Sequence, residues 1–433
     1  MRGKEVFKQI IIEFHQSKLP EIIDREITIK TDLDKIISII GPRRSGKTYL
    51  LFQTIKKLQP AIPKETMIYI NFEDERLDIK KEDLSFILEA YKELYPQNPL
   101  NQLHLFFDEI QNVSGWESFT RRIYDHYTKK IFITGSNSKL LSSEIATSLR
   151  GRTIKYEIFP LDFNEFLKFK NQQITSKDIY AIEKKGLIKS LFSEYFKYGG
   201  FPEVILHEDK NIKLKILQEY FDVMIYRDIV ERYQVKNLPS LKFFIKRIIE
   251  NVGSPLSVNN IFNELKSQGY KISKDTLYEY LFYLEAVYFL LPVKKYSKSV
   301  LKSELSQRKE YGIDNGFISS LTFNDKEMLG AMLENLLAKE FYLVGYEVFY
   351  FRGEKECDFV LVKEDNLIPV QVSYEITNKK TFERELAGLL EACEYLGVKQ
   401  GIIMTYDEKD TIKKNDVEIK ILPAYQFRLT KEG

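Results

Sequence analysis

The chain has 433 residues, and a usual domain size of about 100 to 200 residues predicts two to four domains. Lysine and arginine number 65 against 63 aspartates and glutamates, which excludes a uniformly basic nucleic-acid coat but not a local basic patch. A hydrophobic share of 44% and a charged share of 30% exclude a largely disordered chain. The two cysteines exclude a disulfide framework and a multi-cysteine zinc site, so we expect a reducing, cytoplasmic environment.

Targeting and membrane signals are weak throughout the sequence. Residues 1–18 place charges around a short apolar run and do not resemble a signal peptide. The most apolar stretch, residues 280–293, contains Glu285 and Pro292 and is shorter than the roughly 20 residues of a membrane helix. We therefore expect no membrane partner. The richness in Lys, Glu, Ile and Tyr suits a thermophile.

Residues 1–160 alternate short apolar runs with helix-length segments, which is typical of a parallel sheet with crossover helices. The predicted strands are 35–40, 66–72, 103–107, 130–134 and 153–159. The predicted helices are 47–58, 82–94, 116–127 and 138–149. Together they predict one α/β domain.

The rest of the chain predicts three further parts. Residues 161–236 have helical periodicity. Residues 237–315 contain two helical periods around a turn at Gly269, with Ser273 as the N-cap of the second, and then a strand, which is the order of a winged helix. Residues 316–433 form a second α/β part, with helices and strands that we place at 333–344, 347–351, 357–362, 367–372, 380–395 and 401–406.

The strongest motif is a phosphate-binding loop between a predicted strand and a predicted helix. The predicted nucleotide-binding residues are Gly41, Pro42, Arg43, Arg44, Ser45, Gly46, Lys47, Thr48 and Tyr49. The glycines let backbone N–H groups face a phosphate, Lys47 reaches phosphate oxygens, and the Thr48 hydroxyl is a suitable Mg²⁺ ligand. Because no N-K-x-D guanine motif lies nearby, the predicted cofactors are ATP and Mg²⁺.

Acidic and polar side chains follow two other predicted strands. Asp108 and Glu109 would lie at the carboxyl edge of the sheet, where α/β proteins bind ligands. We expect Asp108 to hold magnesium through water and Glu109 to polarise the attacking water. Thr134, Ser136 and Asn137 end the next strand, and any of them could contact a phosphate or the water. A plain turn is the alternative for these three.

Arginines are candidates for contacts between subunits. Arg150 and Arg152 precede the last strand of the first domain and could reach the nucleotide of a neighbouring subunit in a homo-oligomer. Surface solvation is an equally good interpretation. Of Arg43 and Arg44, one could face phosphate and the other a neighbouring subunit.

These motifs resemble the archaeal and bacterial AAA+ type ATPases that carry a C-terminal domain related to restriction endonucleases. The resemblance spans nearly the whole chain and rests on GPRRSGKT, FFDEIQ, ITGSNS, LRGRTIKYEIFPLDFNEFL, YGGFPEV, YRDIVERY, IDNGF and ECDFVLV. It implies a P-loop ATPase core at 1–160, a helical lid at 161–236, a winged helix at 237–315 and a nuclease-like domain at 316–433. It also implies a catalytic role for Glu109 and a polar sensor within 134–137.

The C-terminal part departs from an active nuclease pattern. By resemblance, Glu334 and Asp358 match the first two acidic positions, but the expected Glu-x-Lys reads Gln371, Val372, Ser373. Glutamine is a weaker Mg²⁺ ligand than glutamate, and Ser373 offers no cation, so we expect catalysis to be lost. A solvated strand end is the alternative for Asp358.

A basic segment at 294–309 falls where the wing of the winged helix is predicted. Its candidate DNA-contacting residues are Lys294, Lys295, Tyr296, Lys298, Lys302, Arg308 and Lys309. A solvated hairpin or a subunit contact is the alternative.

From these features we expect an ATP-hydrolysing AAA+ type ATPase that couples nucleotide state to domain movement on DNA. One alternative is a nucleotide-dependent switch that assembles proteins without remodelling DNA. The other is an ATP-dependent nuclease, which would require cleavage that Asp358→Ala abolishes.

Overall fold

The structure, a computed structural model, describes residues 2–136, 149–322 and 328–430. The chain divides into two compact units, Met1–Phe159 and Pro160–Gly433. Residue 160, where the sequence pattern changes, is thus the first residue of the second unit. Within the described part of the chain, no helix combines the length and hydropathy that a membrane span requires.

A five-stranded sheet forms the centre of the first unit. Its strands are β1 (Ile36–Ile40), β2 (Met67–Asn71), β3 (His104–Asp108), β4 (Ile131–Gly135) and β5 (Thr153–Glu157). They lie in the order β2-β3-β4-β1-β5, and every neighbouring pair is parallel. All residues of β1, β3 and β4 are buried, as expected for a parallel sheet covered on both faces. The predicted parallel sheet is therefore confirmed, with each strand end within two residues of its expected place.

Helices surround this sheet. In the described residues they are α1 (Arg2–Gln16), α2 (Lys47–Leu58), α3 (Phe86–Leu94) and α4 (Trp116–His126). The helix predicted at 138–149 lies almost wholly outside the described residues. We did not predict α1, although Phe7, Ile10, Ile11 and Phe14 have the spacing of one helical face and are buried.

The second unit begins with helices and continues into a mixed sheet. Its described helices are α5 (Phe163–Phe169), α6 (Ile182–Tyr198), α7 (Pro202–Leu206), α8 (Lys210–Val223), α9 (Leu238–Glu250), α10 (Val258–Ser267), α11 (Lys274–Ala286), α12 (Val300–Leu305), α13 (Asn315–Leu321), α14 (Met328–Leu343) and α15 (Lys379–Leu396). A π-helical segment, Met224–Glu231, follows α8. Side-chain caps define several starts; Ser273, for example, accepts a hydrogen bond from the N–H of Thr276, as predicted.

The strands of the second unit form one eight-stranded sheet. They are β6 (Leu290–Lys295), β7 (Lys309–Gly312), β8 (Glu347–Arg352), β9 (Glu356–Lys363), β10 (Asn366–Ser373), β11 (Gln400–Thr405), β12 (Asp410–Lys414) and β13 (Val417–Pro423). Their order is β12-β13-β11-β10-β9-β8-β6-β7. We did not predict β12 and β13.

The two strands that follow α11 join this larger sheet. β6 and β7 pair antiparallel, with α12 between them, and β6 also pairs parallel with β8. The strands on either side of residue 315, where we predicted a domain boundary, therefore share one sheet.

A buried aspartate joins two of the short sequence motifs in the second unit. Asp314 is 1% exposed and accepts hydrogen bonds from the backbone N–H groups of Gly200 (2.8 Å) and Gly316 (2.9 Å). The ammonium of Lys339 lies 3.3 Å from the same carboxylate. Gly199 has φ of 73°, and a Cβ added there would lie 1.5 Å from an oxygen of Asp314. The paired glycines of YGGFPEV thus allow Asp314 of IDNGF to approach their backbone closely.

Gly199→Ala should lower the free energy of unfolding of the second unit by about 2–4 kcal/mol, because it adds both a steric clash and a left-handed backbone conformation. The matched control is Gly186→Ala on the exposed face of α6, where an added Cβ meets nothing within 4 Å. There alanine should stabilise by about 0.5–1 kcal/mol. Urea unfolding of both variants tests this, and equal midpoints would contradict it.

Candidate nucleotide-binding site

The loop between β1 and α2 exposes the start of a helix. Gly46, with φ of 95°, is the N-cap of α2, and no side chain caps it. Backbone N–H groups at such a helix start are suited to bind a phosphate. Gly41 packs against the backbone of Ile158. A Cβ added at Gly41 would lie 2.0 Å from the carbonyl oxygen of Ile158. The loop therefore needs glycine at position 46 for its backbone conformation and at position 41 for its close packing.

The ammonium of Lys47 lies inside this loop. Its side chain is almost fully buried and donates to the carbonyl oxygens of Gly41 (3.2 Å) and Pro42 (3.0 Å). A carboxylate oxygen of Glu109 is 3.3 Å away. The arrangement gives Lys47 an acidic partner and two carbonyl partners, at the place where the loop would meet a phosphate.

Glu109 is held as an ionised carboxylate. Burial alone would raise its pKa, but the charges of Lys47 and Arg43 and hydrogen bonds from Gln111 and Ser136 lower the pKa to about 2. The side-chain amide of Gln111 donates at 2.5 Å and the hydroxyl of Ser136 at 3.1 Å. An ionised carboxylate is the form that can accept a proton from water.

Asp108, at the end of β3, is 1% exposed and surrounded by hydroxyl groups. It accepts hydrogen bonds from Thr48 (2.7 Å), Tyr69 (3.0 Å) and Thr134. Burial and the nearby charge of Glu109 raise its pKa, and these three donors act in the opposite direction. The Thr48 and Asp108 oxygens form the hard donor set that Mg²⁺ prefers, so the residues present fit a magnesium ion.

The end of β4 holds both acidic residues in place. The predicted neighbourhood of β3 and β4 is confirmed by the pairing of Phe107 with Ile133. Thr134 accepts from the backbone N–H of Glu109 (2.9 Å) and donates to Asp108, while Ser136 contacts the Glu109 carboxylate. Asn137, the third candidate, lies outside the described residues.

The candidate arginines lie in different places. Arg43 forms an ion pair with Glu73 (2.9 Å), whereas Arg44 in the same loop and Tyr49 in the first turn of α2 are exposed. Arg152 forms an ion pair with Asp125 (2.9 Å).

The carbonyl of Arg152 accepts from the N–H of Ile36, the first residue of β1, while the phosphate loop follows the last residue of that strand. Arg152 is therefore at the opposite edge of the sheet from the loop of its own chain. Arg150 is exposed close by in the sequence.

Sequence reasoning missed two residues of this site. Arg25 is 9% exposed, and its guanidinium donates to the carbonyl oxygens of Ser45 (2.8 Å) and Phe159 (3.1 Å), which supports the loop from behind. Tyr69 reaches Asp108 from β2. Neither belongs to a recognisable motif, because each contact depends on pairing between distant segments.

The candidate nuclease-like residues are partly brought together in the second unit. Asp358 accepts a hydrogen bond from the side-chain amide of Gln371 (2.7 Å), and both Asp358 and Glu334 contact Lys309. Ser373 instead donates its hydroxyl to a nearby backbone carbonyl (2.8 Å).

The basic segment has fewer side chains available to contact DNA than its sequence suggests. Lys309 is 0% exposed, so the expectation that it contacts DNA is wrong. Lys294 forms an ion pair with Glu304 (2.7 Å), and Arg308 forms one with Glu285.

The remaining members of the segment make few polar contacts with the rest of the unit. Lys298 and Lys302 are exposed, and the Lys298 ammonium lies 5.1 Å from the ring centre of Tyr395. Lys295 and Tyr296 are half-buried. The Tyr296 ring packs edge-on against Phe349.

The fold and the loop of the first unit define a Walker-type AAA ATPase domain. Residues 33–167 match the AAA domain family, residues 189–328 match a domain of unknown function (DUF8612), and residues 329–427 match another (DUF4143).

Two relatives share most of the chain. The uncharacterized protein MJ1544 of Methanocaldococcus jannaschii is 40% identical over 440 residues, which cover 99% of this chain and 96% of the relative. An uncharacterized protein of Haemophilus influenzae is 35% identical over 351 residues, covering 80% of this chain and 84% of the relative. The chain belongs to the family of these proteins.

Among solved structures, the chain is similar to the Walker-type ATPase PABY2304 of Pyrococcus abyssi. The match covers 74% of this chain and 96% of that one, with 15% identity and a TM-score of 0.42.

Tyr69→Phe should raise the Mg²⁺ concentration needed for half-maximal binding of a fluorescent ATP analogue by roughly tenfold, because Asp108 loses a donor that orients its carboxylate. The same donor stabilises the ionised form of Asp108, so its loss raises the Asp108 pKa further, and the defect should grow as the pH falls. Tyr91→Phe is the control, since the Tyr91 hydroxyl donates to the Glu65 carbonyl (2.9 Å) and not to this site. Equal Mg²⁺ requirements in the two variants would contradict the role of Tyr69.

Proposed function

We propose that the first unit hydrolyses ATP with Mg²⁺. The observation that carries this proposal is the ionised Glu109 carboxylate, held 3.3 Å from the Lys47 ammonium and next to the Thr48 and Asp108 oxygens. A magnesium ion would be held by Thr48 and Asp108, and when bound it neutralises charge on the phosphates.

In the proposed reaction, Lys47 exchanges its present partners for phosphate oxygens of ATP. Glu109, released from Lys47, accepts a proton from a water molecule whose oxygen forms the new bond to the terminal phosphorus. The bond between that phosphorus and the bridging oxygen breaks, and ADP leaves with the bridging oxygen. Ser136 and Gln111 keep the Glu109 carboxylate in position during this exchange.

Two substitutions separate binding from hydrolysis. Lys47→Ala should abolish binding of a fluorescent ATP analogue, because the loop loses its cation. Glu109→Gln should keep binding within a few-fold and reduce phosphate release by about 10²–10⁴-fold, because an amide cannot accept the proton.

Lys57→Ala, on the exposed end of the same helix, is the matched control for both variants and should behave as the unsubstituted protein. Full turnover by Glu109→Gln would remove Glu109 from the reaction.

We further propose that the second unit performs the action that ATP hydrolysis drives. Two kinds of partner are candidates. DNA is one candidate, through the exposed Lys298 and Lys302 and the neighbouring Lys295. A protein partner is the other. It is supported by three aliphatic side chains of α12, because Val300, Leu301 and Leu305 are 77%, 68% and 79% exposed.

Salt dependence tests the DNA candidate. With Lys309 buried and Lys294 and Arg308 already paired, at most three lysines of the basic segment are available, so DNA bound through this segment should lose log affinity with log salt at a slope of about 3 or less. Charge reversal at Lys298 and Lys302 should then remove both DNA binding and any stimulation of ATP hydrolysis by duplex DNA. A slope near 6 would contradict the observed pairing. The protein partner would be favoured if duplex DNA leaves the rate of ATP hydrolysis unchanged and Leu301→Ser nevertheless abolishes the action of the second unit.

A further inference from the structure

A fully buried lysine meets three carboxylates in the second unit. The Lys309 ammonium lies 3.0 Å from Glu334, 2.9 Å from Glu356 and 3.4 Å from Asp358. Lys309 comes from β7, Glu334 from α14, and the other two acids from β9. The cluster therefore joins three elements that are distant in sequence.

The ammonium has as many N–H donors as there are acids around it. Lysine carries three N–H donors, and three carboxylates surround it. Burial alone would lower the pKa of Lys309, but the charges of Glu334, Asp358 and Glu356 raise it well above its ordinary value. Lys309 is therefore a cation at neutral pH, and the ring of Tyr350, 5.5 Å away, adds a favourable face.

The remaining polar groups of the cluster are satisfied by the chain itself. The side-chain N–H groups of Gln371 donate to Asp358 (2.7 Å) and to Glu385, and its carbonyl oxygen accepts from the backbone N–H of Asp358 (3.2 Å). The N–H of Val372 also donates to Asp358 (2.9 Å). Both ends of the Gln371 amide are thus engaged within the cluster.

This arrangement does not fit the divalent metal ion that a restriction-type nuclease centre would hold. Magnesium or manganese would have to take oxygens of these acids as ligands at roughly 2.0–2.2 Å, in the space that the Lys309 ammonium occupies. A second cation there would be repelled by the first. Within the described residues, no group of His, Cys, Asp and Glu side chains has an arrangement that could hold a metal ion.

We propose that Lys309 is the resident cation of this cluster. Its ammonium takes the place of a divalent metal ion and fastens β7 to α14 and β9, so that the site binds no metal and cleaves no nucleic acid. The proposal does not rest on ATP hydrolysis in the first unit. It assigns to Lys309 the positive charge that Ser373 does not provide.

The test removes Lys309 in two ways in an Asp108→Asn background, so that the nucleotide site contributes no metal. Lys309→Ala should lower the thermal midpoint of the second unit by about 5–15 °C, because Glu334, Glu356 and Asp358 lose the ammonium that they share. It also opens a space among them, so saturating Mn²⁺ should recover about 5 °C or more. Lys309→Met removes the charge but keeps most of the bulk, and it should show the loss without the recovery.

A ligand check and the parent chain complete the test. Adding Glu334→Gln and Asp358→Asn to Lys309→Ala should abolish the recovery by Mn²⁺. Calorimetric titration of the Asp108→Asn chain with Mn²⁺ should detect no binding, and this measurement decides the matter if Lys309→Ala does not fold. Mn²⁺ binding to that chain, Mn²⁺-dependent cleavage of DNA or RNA that Asp358→Ala abolishes, or an unchanged midpoint in Lys309→Ala would each overturn the proposal.

Discussion

Both units place carboxylates where water hardly reaches, and each of these groups has to be matched by cations or donors from the chain. Removing the partner of a buried charge typically costs about 3–5 kcal/mol, which is a large part of the stability of a domain. In the first unit, Asp108 and Glu109 receive hydroxyl donors and Lys47. In the second, Asp358 and Glu334 receive Lys309. This requirement fixes which elements must meet around each cluster.

The two clusters differ in whether the partners of their lysine can be exchanged for a ligand. Lys47 is bound to the carbonyl oxygens of a loop and to Glu109, all next to a helix start that is suited to bind a phosphate. A phosphate can therefore replace those partners and keep the charge of Lys47 matched. Lys309 lies on a fully buried strand, bound by three acids, and has no such replacement. We accordingly interpret the first cluster as a ligand site and the second as a fixed connection within the fold.

Features encoded locally were predictable from the sequence. The phosphate loop and the five strands of the first sheet follow from spacing and short apolar runs, and the position of Asp108 and Glu109 follows from where their strand ends. The α1 spacing and the alternation in β13 were also present in the sequence but were missed, whereas β12, with the charged and largely exposed sequence DTIKK, gives almost no signal.

Features that depend on long-range pairing were not predictable. Tyr69 reaches Asp108 because β2 pairs with β3, and Arg25 reaches the phosphate loop from a segment without regular structure. Counting charges along residues 294–309 favoured DNA contacts, because a sequence does not show that Lys309 is buried against Glu334, 25 residues further on. The same limit hid the pairing of β6 with β8.

For the part of the chain that the structure describes, we infer one site that is completed by magnesium with nucleotide and one acidic site that is filled by the chain's own lysine. Electron paramagnetic resonance can count bound Mn²⁺ on the unsubstituted protein in the presence of a non-hydrolysable ATP analogue. We expect one ion per chain, dependent on the analogue. Two ions per chain, or one that binds without nucleotide, would contradict it.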